Sequence, residues 1–220
     1  MSAVQCLVVA KAPVPGEAKT RLAADIGPAA AAELAAAALL DTLDACRAVF
    51  PVEDCHLALA GDLAAAPCGP EVRSRAADWN VFAQRGGDFA ARLADAHRRV
   101  GGPVVQIGMD TPQVTGEQLA NAAGLLRDHD AVLGPAEDGG WWLLGLRDAA
   151  HAAVLREVPM STPETGDLTL AALRRCGLDV AATATLRDVD ELPDATVVAG
   201  SARGGRFAAT WAQLVREAAT

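Results

Sequence analysis

The chain has 220 residues, 51% of them hydrophobic and 21% charged, with a formal net charge of -9 at pH 7. That length fits one large domain, and that composition can fill a sizeable core, which excludes a disordered chain. The acidic balance excludes a nucleic-acid footprint, because phosphate-rich partners select a basic face.

In chain order, the apolar run Val4 to Ala10 is too short for a membrane span and lacks the basic flank of a signal segment. It reads as a buried strand. Cys6, Cys46, Cys55, Cys68 and Cys176 show no CxxC spacing, which suits a reducing compartment and no zinc site. The expectation is a soluble cytoplasmic protein without membrane insertion. Pro13 and Pro15 end the first strand, and an alanine-rich helix with leucines at helical spacing runs from Pro28 to about Phe50. Strands follow at Cys55 to Gly61 and Trp79 to Gln84, with Leu63 to Val72 as the most connector-like stretch. Asp88 caps a helix in "GGDFAARLADAHRRV". "PVVQIGMD" is another buried strand, followed by a helix from about Thr115 to Arg127.

"AVLGPA" and "WWLLGL" read as strands around "EDGG". Helical stretches near Ala149 to Arg156 and Thr165 to Arg175 precede a strand-like "LDVAATATL" and an amphipathic helix at Phe207 to Ala218. Alternating strands and helices predict a single α/β domain over 1–220, three-layered α/β/α with a mostly parallel sheet, and a terminal helix at about 205–219. Ligands of such sheets bind beyond the carboxyl ends of the strands, so the residues after each strand are the candidates.

The loop "AKAPVPGEAKTRL" after the first strand holds Lys11 and Lys19, the only two lysines among 19 basic residues. A P-loop needs a second glycine before the lysine, and Ala18 stands there. What remains is Lys11, Lys19 and Arg21 in a proline-set turn, with Gly16 allowing close backbone approach. That charge suits a di- or triphosphate, although a solvated basic loop has the same composition. Asp110 ends "QIGMD", where a carboxylate can hold Mg²⁺ together with substrate phosphates or can simply cap the turn before Thr111 and Pro112.

Glu137, Asp138, Gly139 and Gly140 lie between two strands, where the acidic pair reads as a base or a second metal contact beside a tight turn, or the whole as an ordinary hairpin. Trp141 and Trp142 point to opposite faces, so at most one lines a pocket. "LRDVDELPD" offers Asp188, Asp190, Glu191 and Asp194 as metal ligands or as a solvated turn. In "MSTPET", Ser161 or Thr162 reads as a helix cap with a possible phosphate contact. His56, His97, His129 and His151 fall in no metal spacing.

The blocks "AKAPVPGEAKTRL", "GDFAARL", "IGMDTP", "GPAEDGGWWLLGL", "STP" and "LRDVD" resemble, in order, a bacterial family described as radical-SAM/selenodomain-associated glycosyltransferases. That family has the nucleotide-diphospho-sugar transferase (GT-A-like) fold. The resemblance runs from Val4 to Asp194. More distantly, the chain is similar to 2-phospholactate guanylyltransferases and molybdenum-cofactor nucleotidyltransferases. The resemblance implies phosphate contacts by Lys11, Gly16, Lys19, Arg21 and Arg92. It implies a metal, Mg²⁺ or Mn²⁺, on Asp110 and Asp190, and a catalytic set of Asp110, Lys19 and Asp138. Glu137, Asp138, Gly139, Gly140, Trp141, Ser161 and Thr162 fall to the acceptor side.

The implied activity is glycosyl transfer from a nucleotide sugar to a small acceptor. The alternatives are nucleotidyl transfer from an NTP and a non-catalytic nucleotide-binding regulator; oligomeric state stays open. Three departures stand out. Asp110 has no Asp-x-Asp partner, which favours nucleotidyl transfer; the proline after Asp190 is displaced to Pro193; and the aromatic pair is Trp141–Trp142 in a chain without tyrosine.

Overall fold

The computed structural model describes residues 3–202 and 204–219. In chain order the elements are β1 (Gln5–Lys11), α1 (Thr20–Ile26), α2 (Pro28–Arg47), β2 (Cys55–Ala60), α3 (Gly69–Arg75), β3 (Asn80–Ala83), α4 (Phe89–Val100) and β4 (Val104–Gly108). They continue with α5 (Gly116–Leu125), β5 (Ala131–Pro135), β6 (Trp141–Leu146), α6 (Thr165–Arg175), β7 (Val180–Ala182), α7 (Leu192–Ser201) and α8 (Arg206–Ala218). A 3-10 helix occupies Ala149–Glu157.

One sheet of seven strands runs β3-β2-β1-β4-β6-β5-β7. Its pairings are parallel except those of β6 with β4 and β5. The central strands are apolar at consecutive positions because both faces are covered. On one face Val8, Leu57 and Ile107 pack with Leu39 and Leu43 of α2 and Leu119 of α5. On the other, Leu7, Val104 and Leu144 meet Leu93 of α4, Leu155 of the 3-10 helix and Leu173 of α6. This is the single-domain, three-layer, mostly parallel fold expected from the alternation of patterns.

A third cluster, with Leu22, Leu34, Val198 and Phe207, joins α1, α2, α7 and α8. Asp41 of α2 accepts the backbone N–H groups of Arg206 and Phe207, at 3.0 and 2.9 Å, satisfying orphan donors at the start of α8. Among the described residues no helix is long and apolar enough to cross a membrane.

Several expectations need correction. The basic loop is shorter than its composition suggests, because α1 begins at Thr20 inside it. The connector Leu63 to Val72 holds a 3-10 turn, Leu63–Ala65, and the start of α3, whose Pro70 sits in the first turn. The stretch at 149–156 is 3-10 rather than α-helical. The predicted strand "LDVAATATL" shrinks to Val180–Ala182 plus one parallel bridge, Ala136 to Leu186. The acidic "DELPD" contains the start of α7: Glu191 and Asp194 form a reciprocal capping box. The cap of α6 is Glu164, and the hydroxyl of Thr162 accepts the Glu164 N–H at 3.3 Å just outside the helix.

Candidate functional site

The site gathers where β1 and β4 end side by side. Parallel register pairs Val9 with Gly108, so Lys11 and Asp110 emerge level with each other two residues later. The backbone N–H of Lys11 points at the Met109 sulfur, 3.3 Å away, which holds the two exits together. A third segment is then fastened to them. The N–H of Val189 donates to the Asp110 carbonyl at 2.9 Å, and the Gln113 side-chain amide donates to the Arg187 carbonyl at 2.5 Å. Those bonds bring Asp188 and Asp190 to the end of β4, although about eighty residues separate them in sequence.

Lys19 occupies the centre. Its Nζ lies 2.6 Å from Asp110 Oδ1 and 3.1 Å from Asp190 Oδ1, and it donates to the Val189 carbonyl. The lysine side chain is 8% exposed while each carboxylate is 42% exposed. Burial pulls the Lys19 pKa down, but the charges of Asp110 and Asp190 and their hydrogen bonds outweigh it, and the net shift is upward. Lys19 therefore stays an ammonium.

Its backbone is left-handed, with φ 48. The only other described non-glycine residue with positive φ is Ser161, at φ 61. Both border the cleft, and such conformations cost energy that the surrounding fold must supply. No pattern in the sequence signalled either one.

Two connected cavities make up the cleft. A smaller one of about 250 Å³ is lined by Lys11, Lys19, Arg21, Asp110 and Asp190. A larger one of about 640 Å³ shares Lys11, Arg21, Asp110 and Asp190 and continues past Asp138, Asp188 and Gly140 to Arg92, Trp141, Ser161 and Thr162. Lys11 is exposed, its Nζ held by the Glu17 carbonyl at 2.7 Å. Arg21 is 68% exposed and reaches Asp190 only at 3.5 Å. These two cations, rather than Lys19, face open space.

Asp188 entered the sequence reading only as one of four acidic residues that could be metal ligands or a solvated turn. It lines the larger cavity, and its pKa is pushed up to about 6, chiefly by burial and then by the charges of Asp138 and Asp190. The acidic run around it was the available signal.

The turn after β5 is both a hairpin and a wall of the site. β5 and β6 pair antiparallel, with a register shift at Gly134/Pro135. The Asp138 carboxylate accepts the Gly140 N–H at 2.8 Å. Gly139 adopts φ 88, and a Cβ there would stand 1.9 Å from the Pro163 carbonyl oxygen. The Gly139 carbonyl in turn accepts the Gly166 N–H at 2.8 Å. The turn is thereby clamped to the start of α6, and Asp138 lines one cavity together with Ser161 and Thr162.

Other expected site residues lie elsewhere. Glu137 is bound by the Arg187 guanidinium, 2.5 Å away, and neither it nor Gly139 lines the cleft. Gly16 also lies outside both cavities; its φ of 81 shapes the loop. Arg92, expected among the phosphate contacts, borders only the larger cavity. Both tryptophans border that cavity, because it wraps the start of β6 where both faces are reachable. Trp142 is 3% exposed with its indole N–H on the Ala184 carbonyl, and Trp141 is half-buried and bonded to Thr169.

Asp110 and Asp190 are the carboxylates of the cleft whose oxygen chemistry suits a divalent cation. Two hard oxygen donors already converge on one positive centre, the Lys19 ammonium. Thr111, 2% exposed, borders the larger cavity, and its buried Oγ1 has no hydrogen-bond partner. Among the described residues no group of three or more His, Cys, Asp or Glu is arranged around a metal position. Two protein carboxylates with waters and substrate phosphates is the usual complement for Mg²⁺.

Comparison with solved structures gives the same architecture. A crystal structure from Desulfovibrio desulfuricans G20, described as that of a "putative nucleotide-diphospho-sugar transferase", matches at 27% identity and TM-score 0.83, covering 98% of this chain and 95% of that one. A cytidylyltransferase from Leptospira borgpetersenii serovar Hardjo-bovis matches at 14% identity and TM-score 0.62, covering 98% and 93%. Rv0371c from Mycobacterium tuberculosis H37Rv, in complex with manganese, matches at 22% identity and TM-score 0.52, covering 89% and 98%. No curated protein matches the chain.

Residues 42–162 match the profile of one family, a span that holds Arg92, Asp110, Asp138, Trp141 and Thr162 and leaves out Lys11, Lys19, Arg21 and Asp190. With the GT-A-like fold of the nucleotide-diphospho-sugar and nucleotidyl transferases, the chain belongs to the family described as "Uncharacterized protein conserved in bacteria (DUF2064)".

Proposed function

We propose that the protein is a metal-assisted transferase that takes a nucleotide-diphosphate sugar as donor and a small molecule as acceptor. The observation that carries the reading is the convergence of Asp110 and Asp190 on one cationic centre beside Lys11 and Arg21. Paired carboxylates next to exposed cations, at the carboxyl ends of parallel strands, suit a metal-bound diphosphate. The likeness to the Desulfovibrio protein described as a nucleotide-diphospho-sugar transferase supports the choice of donor.

In this reading Lys11 and Arg21 bind the diphosphate oxygens through charge-assisted bonds. Asp110 and Asp190 would hold Mg²⁺ or Mn²⁺, which would supply Lewis acidity to the leaving diphosphate. Asp138 fixes its turn with one carboxylate oxygen on the Gly140 N–H, leaving the other to take the acceptor's proton. The acceptor oxygen bonds to the anomeric carbon as the bond from that carbon to phosphate breaks. The electron pair leaves with the nucleoside diphosphate, and the hydroxyl proton passes to Asp138. Gly16, Gly139 and Glu137 serve the shapes of the loops around these groups.

One feature favours nucleotidyl transfer as a second reading. Asp110 has no Asp-x-Asp neighbour, and the second carboxylate comes from Asp190 instead. The assay that separates the two uses UDP-, GDP-, CDP- and ADP-sugars in parallel with the four NTPs, each with Mg²⁺. Release of nucleoside diphosphate from a nucleotide sugar supports glycosyl transfer. Pyrophosphate release from an NTP moves the protein to the nucleotidyltransferases, and binding with neither product marks a non-catalytic nucleotide-binding regulator.

A further inference from the structure

Arg92 sits in the first turns of α4, behind the Asp88 cap whose carboxylate accepts the Ala91 N–H at 2.7 Å. Its guanidinium lies 5.6 Å from the centroid of the Phe89 ring. Both residues line the larger cavity. Among the described residues, no carboxylate comes within ion-pair distance of Arg92, and its buried Nε has no hydrogen-bond partner. The same helix shows the contrast: Arg98 pairs with Asp95 at 2.5 Å, and Arg99 donates to the Ala83 carbonyl at 2.9 Å. A guanidinium that is partly withdrawn from water and left unpaired costs free energy unless something completes it. No carboxylate of the cleft does so: Asp110 and Asp190 contact Lys19, Asp138 accepts the Gly140 N–H, and neither Asp138 nor Asp188 comes within ion-pair distance of Arg92.

Position says what the missing partner belongs to. Lys11, Arg21, Asp110 and Asp190 border both cavities, so the diphosphate position lies where the two join. Arg92 borders the larger cavity alone, in company with Trp141, Ser161 and Thr162. Resting on the donor site proposed above, we infer that Arg92 binds an anionic group of the acceptor, a carboxylate or a phosphate monoester. Phe89 and Trp141 supply apolar walls for the acceptor's skeleton, and the hydroxyls of Ser161 and Thr162 supply neutral polar contacts. Arginine suits the task because its planar fork meets both oxygens of such a group at once, which a lysine cannot do. The acceptor class is therefore a small hydroxy acid or sugar phosphate rather than a neutral alcohol.

The test compares wild type, Arg92→Gln and Lys11→Ala by calorimetry. The probes are 3-phosphoglycerate, glycerate and glycerol on the acceptor side, and UDP, GDP, CDP and ADP with Mg²⁺ on the donor side. Wild type should bind the two anions in preference to glycerol. Arg92→Gln should lose roughly tenfold or more of the anion affinity, as expected for one charged hydrogen-bonding group. Arg92→Gln should keep its nucleoside diphosphate affinity, which Lys11→Ala should lose. Thermal unfolding of Arg92→Gln at the wild-type temperature shows that the fold is intact.

Equal anion affinity in Arg92→Gln and wild type overturns the inference, as does anion binding no tighter than glycerol binding. A nucleotide loss in Arg92→Gln matching that of Lys11→Ala also overturns it, by placing Arg92 on the donor. If wild type binds no nucleoside diphosphate, the donor reading fails, and the anion comparison still decides the role of Arg92.

Discussion

Lys19 Nζ and Asp110 Oδ1 lie 2.6 Å apart at the centre of the cleft, with Asp190 3.1 Å away on the same ammonium. A lysine expected to reach for phosphate instead pairs with the two carboxylates expected to hold a metal. This contact changes what a substitution at Lys19 should do. The composition of a mouth loop suggests little effect on folding, yet this side chain is 8% exposed and paired.

Lys19→Met should therefore cost stability as well as ligand binding. Breaking a fully buried ion pair costs about 3–5 kcal/mol, and the 42% exposure of each carboxylate reduces that here to about 2 kcal/mol. With the ammonium gone, Asp110 and Asp190 should bind Mn²⁺ more tightly in the absence of nucleotide. Urea unfolding and the electron paramagnetic resonance signal of free Mn²⁺ read the two effects. Unchanged stability together with unchanged Mn²⁺ affinity would remove Lys19 from any part in the charge balance of the site.

Asp110→Asn keeps the shape of the side chain and removes its charge. Ligands that bind only the folded state raise its melting temperature. In the variant, the extra stabilisation that Mg²⁺ gives to nucleotide binding should vanish, while any metal-independent shift remains. A full metal-dependent shift in Asp110→Asn would make Asp110 a turn residue.

Gly139→Ala tests the clamp between the turn after β5 and the start of α6. The residue has φ 88, and an added Cβ would meet the Pro163 carbonyl oxygen at 1.9 Å. Strained backbone alone costs about 1–3 kcal/mol, and the collision adds to it. Gly16→Ala is the control, since φ 81 is similarly unfavourable but the added Cβ meets nothing within 4 Å. Urea midpoints should fall further for Gly139→Ala than for Gly16→Ala. Equal losses would show that the turn can move off Pro163 without penalty.

His97 should make stability depend on pH. It is wholly buried in α4, where its Nε2 donates to Gln106 Oε1 at 3.0 Å, and burial lowers its pKa from 6.5 to about 4. The unfolded chain takes up this proton first as pH falls, so the stabilising contribution is intact above 6.5 and is lost progressively down to about 4. The whole loss is about 3 kcal/mol, since each tenfold difference in proton affinity between the folded and unfolded chain is worth roughly 1.4 kcal/mol. An NMR titration should find the imidazole carbon-bound protons of His97 unmoved until about pH 5. Titration near pH 6.5 would place a compensating charge beside the ring.

Periodicity and punctuation in the sequence determined the strands, most of the helices and the layering, because buried strands must be apolar on both faces and helices on one. The Asp88 cap and the limits of α6, Thr165 to Arg175, were legible for the same local reason. The short α1, with no side-chain cap and a left-handed Lys19 before it, carried no local signal. The partners of charged side chains were equally hidden. Lys19 and Asp190 are 171 positions apart, and what joins them is the Val189 N–H on the Asp110 carbonyl, a long-range backbone bond. Composition named which groups could bind phosphate or metal. Only the tertiary structure decided that Lys19 is spent on two carboxylates, that Glu137 is spent on Arg187, and that Arg92 stands unpaired across the cavity, because ion pairing depends on distances that loops of unrelated sequence position set together.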